Sequence, residues 1–245
     1  MKCIITLGVL VAAIACAKPN SETMGQANGQ PNQPAAMNTL TAAERAAGWR
    51  LLFDGRTTNG WRGYKSQAMP AGWMAMDGTL MKEKPTEDIV SIDQFGDFDF
   101  AFEWMVSKGG NAGVFYRASE EYDKVYWSAT EYQLLDDPGH RDGQNPLTSS
   151  ASNYGLYAPT ASVTKPAGEW NSSRIVAKGA HVEHWLNGQK VVEYDYGSPD
   201  WEAKVKAAKF KDWPNYGRAK RGLIAIQGDH GGVLALRNIK IRELK

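Results

Sequence analysis

"DFDFAFEWMVS", Asp97 to Ser107, is the stretch that decides the fold. Its large apolar residues recur at every second position. Phe98, Phe100, Phe102 and Trp104 therefore share one face, and Asp99, Ala101, Glu103 and Met105 share the other. A helix would scatter these four aromatics around its axis, whereas an extended chain sets them in one line. The stretch reads as a strand with an aromatic inner face.

The segments around it read the same way. "DIVSI" (Asp88 to Ile92), "AGVFYR" (Ala112 to Arg117), "EYQLLD" (Glu131 to Asp136), "SRIVAK" (Ser173 to Lys178), "GLIAIQ" (Gly222 to Gln227) and "VLALRNIKIREL" (Val233 to Leu244) are strand candidates. "HVEHWLNGQKVVEYD" (His181 to Asp195) places Asn187-Gly188 between two strand-like runs, the preferred chemistry of a two-residue hairpin. One interior stretch, "DWEAKVKAAKF" (Asp200 to Phe210), reads as helix, with Asp200 as cap and Trp201, Val205, Ala208 and Phe210 on one side. Its lysines, with Arg218, Lys220 and Arg221, are read as a solvated basic face. "TAAERAAGW" reads as a short helix that Gly48 ends. No internal repeat or second interior linker interrupts the pattern. The fold class is all-β, a sandwich of two antiparallel sheets with one short inserted helix.

Composition narrows the partners. The 245 residues carry 28 Lys and Arg against 27 Asp and Glu, so no net charge points to nucleic acid or acidic lipid. Nine Trp, ten Tyr and seven Phe suit a sandwich core, and a few of them suit stacking on sugar rings.

The N-terminus reads as an export signal. Lys2 precedes the apolar run Ile4 to Ala15, which closes on Ala13-Ile14-Ala15, a small-residue cleavage pattern. Cys16 follows at once, as in a bacterial lipoprotein signal, where the cysteine is lipidated. Ala13 stands where such signals usually carry Leu, and plain export after Ala15 is the alternative. Residues 1–15 are thus assigned to the signal, 16–45 to a flexible tether rich in Pro, Asn, Gln and Gly, and 46–245 to the domain. The expected location is the periplasm or an outer-membrane anchor. The only cysteines are Cys3 and Cys16, so the mature chain has no intrachain disulfide and no cysteine metal site.

Five stretches carry a family resemblance in their order and spacing: "LFDGRTTNGW" (Leu52 to Trp61), "GNAGVFYR" (Gly110 to Arg117), "EYQLLDD" (Glu131 to Asp137), "KPAGEWNSSRIVAKGAHVEHWLNGQKVVEY" (Lys165 to Tyr194) and "GLIAIQGDHGGVLALRNIKIREL" (Gly222 to Leu244). Together, over roughly Trp49 to Lys245, they resemble the bacterial 3-keto-disaccharide hydrolase domain family. That resemblance implies a concanavalin-like jelly roll, the fold of laminarinases and legume lectins. It also implies export and action on glycosides whose glucose C3 is oxidised to a ketone. "LFDGRTTNGW", with turns at Asp54-Gly55 and Asn59-Gly60, marks where the tether ends, Leu52 and Phe53 entering the core and Trp61 packing beneath.

Laminarinase-type hydrolases of this fold carry an Asp between two Glu on one strand; here the set is Glu131, Gln133 and Asp136. An amide in the middle departs from the retaining mechanism, which needs two carboxyls about 5–5.5 Å apart. A 3-keto sugar needs something else. The ketone acidifies the C2 proton, so the site must supply a base there, a donor to the enolate oxygen and an acid at the leaving oxygen.

The candidate catalytic groups are Glu131, His184 and His230. His184, which shares a face with Val182 and Leu186, stands first as base because of its place in the family motif that the chain resembles; the alternative is a histidine packed in the sheet. His230 sits on the Gly-rich turn "QGDHGG" beside Gln227 and Asp229. The candidate sugar ligands are Asn111, Arg117, Gln133, Gln227 and Arg237, with Trp127 and Tyr157 as stacking platforms. For Arg117 the alternative is an ion pair with a structural carboxylate such as Glu103. His140 belongs to a loop that could rim the site, and His181 is expected at the surface. No cofactor and no metal are expected; the alternative is calcium held by Asp136, Asp137 and Asp142. The expected partner is an oxidised glycoside met by a monomer that touches membrane only through its lipid. A non-catalytic carbohydrate-binding surface lipoprotein is the competing reading.

Overall fold

The computed structural model describes residues 36–245; the expected signal and residues 16–35 of the expected tether, Cys16 among them, lie outside the described residues. The strands among the described residues are β1 (Arg50–Leu51), β2 (Trp61–Gly63), β3 (Trp73–Met76), β4 (Thr79–Lys82), β5 (Ile89–Phe95), β6 (Phe98–Val106), β7 (Asn111–Ala118), β8 (Thr130–Leu135), β9 (Asn171–Lys178), β10 (His181–Leu186), β11 (Gln189–Asp195), β12 (Gly222–Ile226) and β13 (Leu234–Glu243). They form two antiparallel sheets in a jelly-roll sandwich. The larger runs β11-β10-β9-β6-β13-β4-β3, with β1 also paired to β13, and the smaller runs β2-β5-β12-β7-β8.

The aromatic stretch is β6, in the middle of the larger sheet. Phe98, Phe100, Phe102 and Trp104 are buried. Phe98 meets Tyr116 of β7 edge to face at 6.3 Å between centroids, and Phe102 meets Tyr132 of β8 at 5.9 Å. The alternation in the sequence is thus the seam between the two sheets. Each buried ring contributes about 1.5–3 kcal/mol, and edge-to-face pairs about 0.5–1.5 kcal/mol more. On the outer face of β6, Asp99 accepts hydrogen bonds from Arg174 of β9 and Arg242 of β13, so one carboxylate ties three strands.

Local chemistry explains the turns and helices. Asn187 and Gly188 both have positive φ (49° and 85°), as the hairpin between β10 and β11 requires. Helix α1 (Ala42–Ala46) starts with a Thr41–Glu44 capping box. Helix α2 (Pro199–Ala207) is capped by Ser198, whose hydroxyl accepts from the Trp201 N–H, and not by Asp200. Pro199 supplies a first helical residue that needs no partner for its nitrogen, which moves the start ahead by two residues. Asp200 instead accepts the Tyr157 hydroxyl at 2.7 Å. Phe210 falls in a following 3-10 turn (Lys209–Asp212), buried like Trp201 and Val205.

Residues 36–45, expected in the tether, are held on the domain. The Asn38 N–H donates to Asn238 Oδ1 (2.7 Å), the Asn238 N–H donates to Asn38 Oδ1 (2.8 Å), and Glu44 pairs with Lys240. Polar composition hid this docking, because it works through amide pairs rather than apolar burial. Phe53 and Trp61 are buried as expected, and the Trp61 indole donates to the Leu52 carbonyl.

Candidate active site

The site is built on the outer face of the smaller sheet. Strand parity on β8 sends Tyr132 and Leu134 into the sandwich and Glu131 and Gln133 out of it. Gly113 of β7 lies opposite Gln133, and Phe115 lies opposite Glu131. The Gln227 N–H donates to the Gly113 carbonyl, and Gln227 and Asp88 follow directly on the pair Ile226–Ile89. On the far side, the Gln133 N–H donates to the Ser152 carbonyl. One transverse row therefore reads Asp88, Gln227, Gly113, Gln133, Ser152. Next to it, Val90, Ala225, Leu223 and Phe115 are covered by Val125, Ala129, Tyr64 and Tyr126. The polar row begins where this apolar cover stops.

Glu131 is the centre of the row's chemistry. Its carboxylate leans into the space left open by Gly113, where a Cβ would overlap it. With its amide turned to satisfy its neighbours, Gln133 Nε2 donates to Glu131 Oε1 (3.0 Å) and to the Ala112 carbonyl (2.9 Å). Burial pushes the Glu131 carboxyl up to about 8; Lys209 opposes the rise, and Asp88, Asp229 and Asp142 add to it. Asp88 is raised to about 6, chiefly by burial, against the hydrogen bond that its carboxylate accepts from the Gly228 N–H (2.8 Å).

Two histidines share charged neighbours with this row: Asp229 and Asp142 act on both Glu131 and His230, and His140 acts on His230. His230 is half open to solvent, and its imidazole is held below the ordinary value by desolvation. Among the nearby charges, Asp229 and Asp142 oppose that shift, and His140 and Lys82 reinforce it. His140 starts the 3-10 turn Arg141–Gln144, its Nδ1 accepting from the Asp142 N–H at 3.2 Å. Lys209 closes one side, its ammonium 4.5 Å from the centre of the Tyr154 ring and 5.8 Å from that of Tyr126. Gln227 Oε1 and Ser152 Oγ, both buried in the row, have no hydrogen-bond partner among the described residues.

Several expected site residues lie elsewhere. His184 is fully buried on the inner face of β10, between the Tyr116 hydroxyl (2.7 Å) and the Ala151 carbonyl (2.9 Å). Its ring packs on Tyr132, so the smaller sheet separates it from the Glu131 carboxylate. Desolvation pushes it down to about 4, and it serves as a neutral core histidine. Arg117, at the other end of β7, donates to the Gly96 and Gly179 carbonyls and to Asp97, so it fastens loops. Arg237 is on the outside of the larger sheet, paired with Glu103 (2.7 Å) and lying over Trp170. Tyr157 stacks on Tyr194 at 5.0 Å within an aromatic pile and offers no free platform. Trp127 stacks on Trp213 beside Tyr126, at the rim of the apolar cover. Asn111, Gln133 and Gln227 do share the outer face with Glu131.

Asp136 accepts from the Gly109 N–H and Asp137 from Ser150 and Thr164, so these carboxylates are turned to separate partners. Among the described residues, the one His-and-carboxylate group with converging ligand atoms is His181, Glu183 and Glu193 on the larger sheet, where Lys190 bridges both glutamates. Asp88, Gly113, Ser152 and Lys209 went unseen in the sequence. For Lys209 the only available signal, helical periodicity, pointed to solvent.

The row and its neighbours therefore combine a carboxyl that keeps its proton at neutral pH, an imidazole held below its ordinary value, and the amides of Gln133 and Gln227. The 3-keto-alpha-glucoside-1,2-lyase-like domain matches residues 48–242. The whole chain is 31% identical to a 3-keto-disaccharide hydrolase of Bacteroides thetaiotaomicron, over 97% of that protein. A crystal structure from Parabacteroides distasonis, provisionally described as a glycosyl hydrolase, superposes with a TM-score of 0.81 and 32% identity, over 86% of this chain and all of that one. A second from the same organism and with the same description gives 0.64 and 27%, over 80% of this chain and 99% of that one. The chain belongs to the 3-keto-alpha-glucoside-1,2-lyase-like domain family.

Proposed function

We propose that this protein is a hydrolase of 3-keto-disaccharides and related 3-keto-glycosides, working through Glu131 and His230. The observation that carries the mechanism is the split between the two groups: burial keeps Glu131 protonated to about pH 8, and desolvation keeps His230 neutral. His230 takes the C2 proton, which the neighbouring ketone has acidified. The electron pair passes into the C2–C3 enolate and then expels the glycosidic oxygen from C1. Glu131 gives that oxygen its proton, so an alcohol leaves and a C1=C2 double bond remains. Water then adds across it, hydroxyl to C1 and hydrogen to C2, for net hydrolysis. Asn111 and Gln227 hold sugar hydroxyls, and Gln133 fixes the Glu131 carboxyl.

Turnover of a 3-keto-glucoside and of its unoxidised parent tests this reading, with the products made in deuterated water. The expected result is cleavage of the keto substrate alone, with deuterium at C2. Equal cleavage of both would overturn the elimination, and cleavage of neither would overturn the enzyme reading. Export with lipidation at Cys16 belongs to the same proposal; the mass of the mature N-terminus in a bacterial host tests it, an unmodified Ala17 or Cys16 counting against the anchor.

A further inference from the structure

Lys82 closes β4 on the inner face of the larger sheet, next but one to the buried Leu80. Its side chain has no exposed surface, and burying an ammonium there costs several kcal/mol that Leu or Met would not. Among the described residues its hydrogen-bond partners are two backbone carbonyls, those of His230 (2.7 Å) and Gly232 (3.1 Å). Both belong to the crossing from β12 in the smaller sheet to β13 in the larger.

That crossing, "GDHGG", holds Gly228, Gly231 and Gly232, residues that lose the most conformational freedom on ordering. Its ends are tied, Gly228 to Asp88 and Thr86, and Val233 to the Ser107 hydroxyl. The middle, where His230 sits, is tied by Lys82.

We infer that Lys82 is the positioning residue of this site, a buried cation that fixes the His230 backbone from below and sets the charge beside its ring. The inference rests on the role proposed for His230. The other charges facing that ring are Asp229, Asp142 and His140, with Lys124 3.9 Å from Asp229. Among these, Lys82 is the cation held on the domain's own interior, so removing it leaves the carboxylates less opposed.

The test has one readout that does not depend on turnover. The chain has four histidines, so each imidazole can be followed by NMR as pH is changed. In Lys82→Met the His230 titration is expected to move upward while His181, on the larger sheet, stays in place. With a 3-keto-glucoside, kcat is expected to fall roughly tenfold to 100-fold with KM changed much less, and the acidic limb of the pH profile to move up with His230. Lys82→Gln, which keeps a donor but not the charge, is expected to recover part of kcat and none of the titration shift; it also carries the comparison should Lys82→Met not fold. An unmoved His230 titration in the folded variants would overturn the inference. A moved titration in a protein that cleaves no keto substrate would uphold the role of Lys82 and overturn only the proposed reaction.

Discussion

The Glu131 carboxylate occupies the space that a side chain on Gly113 would take. Gly113 pairs with Gln133, and Glu131 reaches across diagonally from the next position of β8. A methyl group at 113 would meet Oε1, Cδ and Cγ of Glu131, so Glu131 would have to turn away. Gly113→Ala is therefore expected to keep the fold, read by circular dichroism, and to lower kcat/KM about 100-fold, the usual result of a 1 Å misplacement. Unchanged kinetics would mean that the proton of Glu131 is not used from this position.

Glu131 also makes stability depend on pH in an unusual direction. Its folded pKa, about 8, lies above the ordinary 4.5, so the folded state binds the proton more tightly. The contribution is fully present below about pH 4.5 and is lost as pH rises through 8. Asp88 acts in the same direction between its ordinary 3.8 and about 6. The melting temperature of the wild type is expected to fall between pH 6 and 8, and that of Glu131→Gln to stay flatter over the same interval. In activity, the wild type is expected to decline above pH 8, and Glu131→Gln to lose about 10²–10⁴ in kcat together with that basic limb.

His184 and His230 are expected to separate stability from chemistry. His184→Ala removes a ring from the sealed space between Tyr116, Tyr132 and the Ala151 carbonyl, and so costs about 2–4 kcal/mol in denaturant unfolding. Its kcat, at a temperature where it is folded, should lie within about threefold of wild type. His230→Ala is expected to melt like the wild type and to lose at least about 100-fold in kcat. The reverse pattern would return His184 to the chemistry.

Lys209 gives a subtler handle. Its ammonium, resting over Tyr154 and Tyr126, holds down the pKa of Glu131 against the effect of burial. Lys209→Met keeps the contact with the rings and removes the charge. The basic limb of the pH profile is expected to move upward, and an unmoved limb would remove Lys209 from the electrostatics of Glu131.

Much of this arrangement was legible in the sequence, because strand periodicity is local. The aromatics of β6, the Asn187-Gly188 turn and the opposite faces of Glu131 and Tyr132 each follow from a few adjacent residues. The same periodicity had set His184 beside Val182 and Leu186, which is where it packs; the role drawn from family likeness pulled it towards catalysis. β3 and β4 were missed although Asp77-Gly78 marks their turn, since "WMAMDGTLMK" alternates only weakly. The row from Asp88 to Ser152 was beyond reach. It exists only once β5, β12, β7 and β8 lie side by side, an order that no local pattern encodes.

That strand order bears on how the molecule comes into being. The smaller sheet has β12 between β5 and β7, and the larger has β13 between β6 and β4, so residues 222–245 supply an interior strand to each. A growing chain that has not reached them holds two split sheets, with the backbone edges of β5, β6 and β7 unpaired and no Gln227 or His230. Local contacts cannot substitute for these distant pairings, so the sandwich closes only once residues 222–245 have been made. A truncation that spares Glu131 but stops before residue 222 is expected to form neither the sandwich nor the site, which a flat near-ultraviolet circular dichroism spectrum would show.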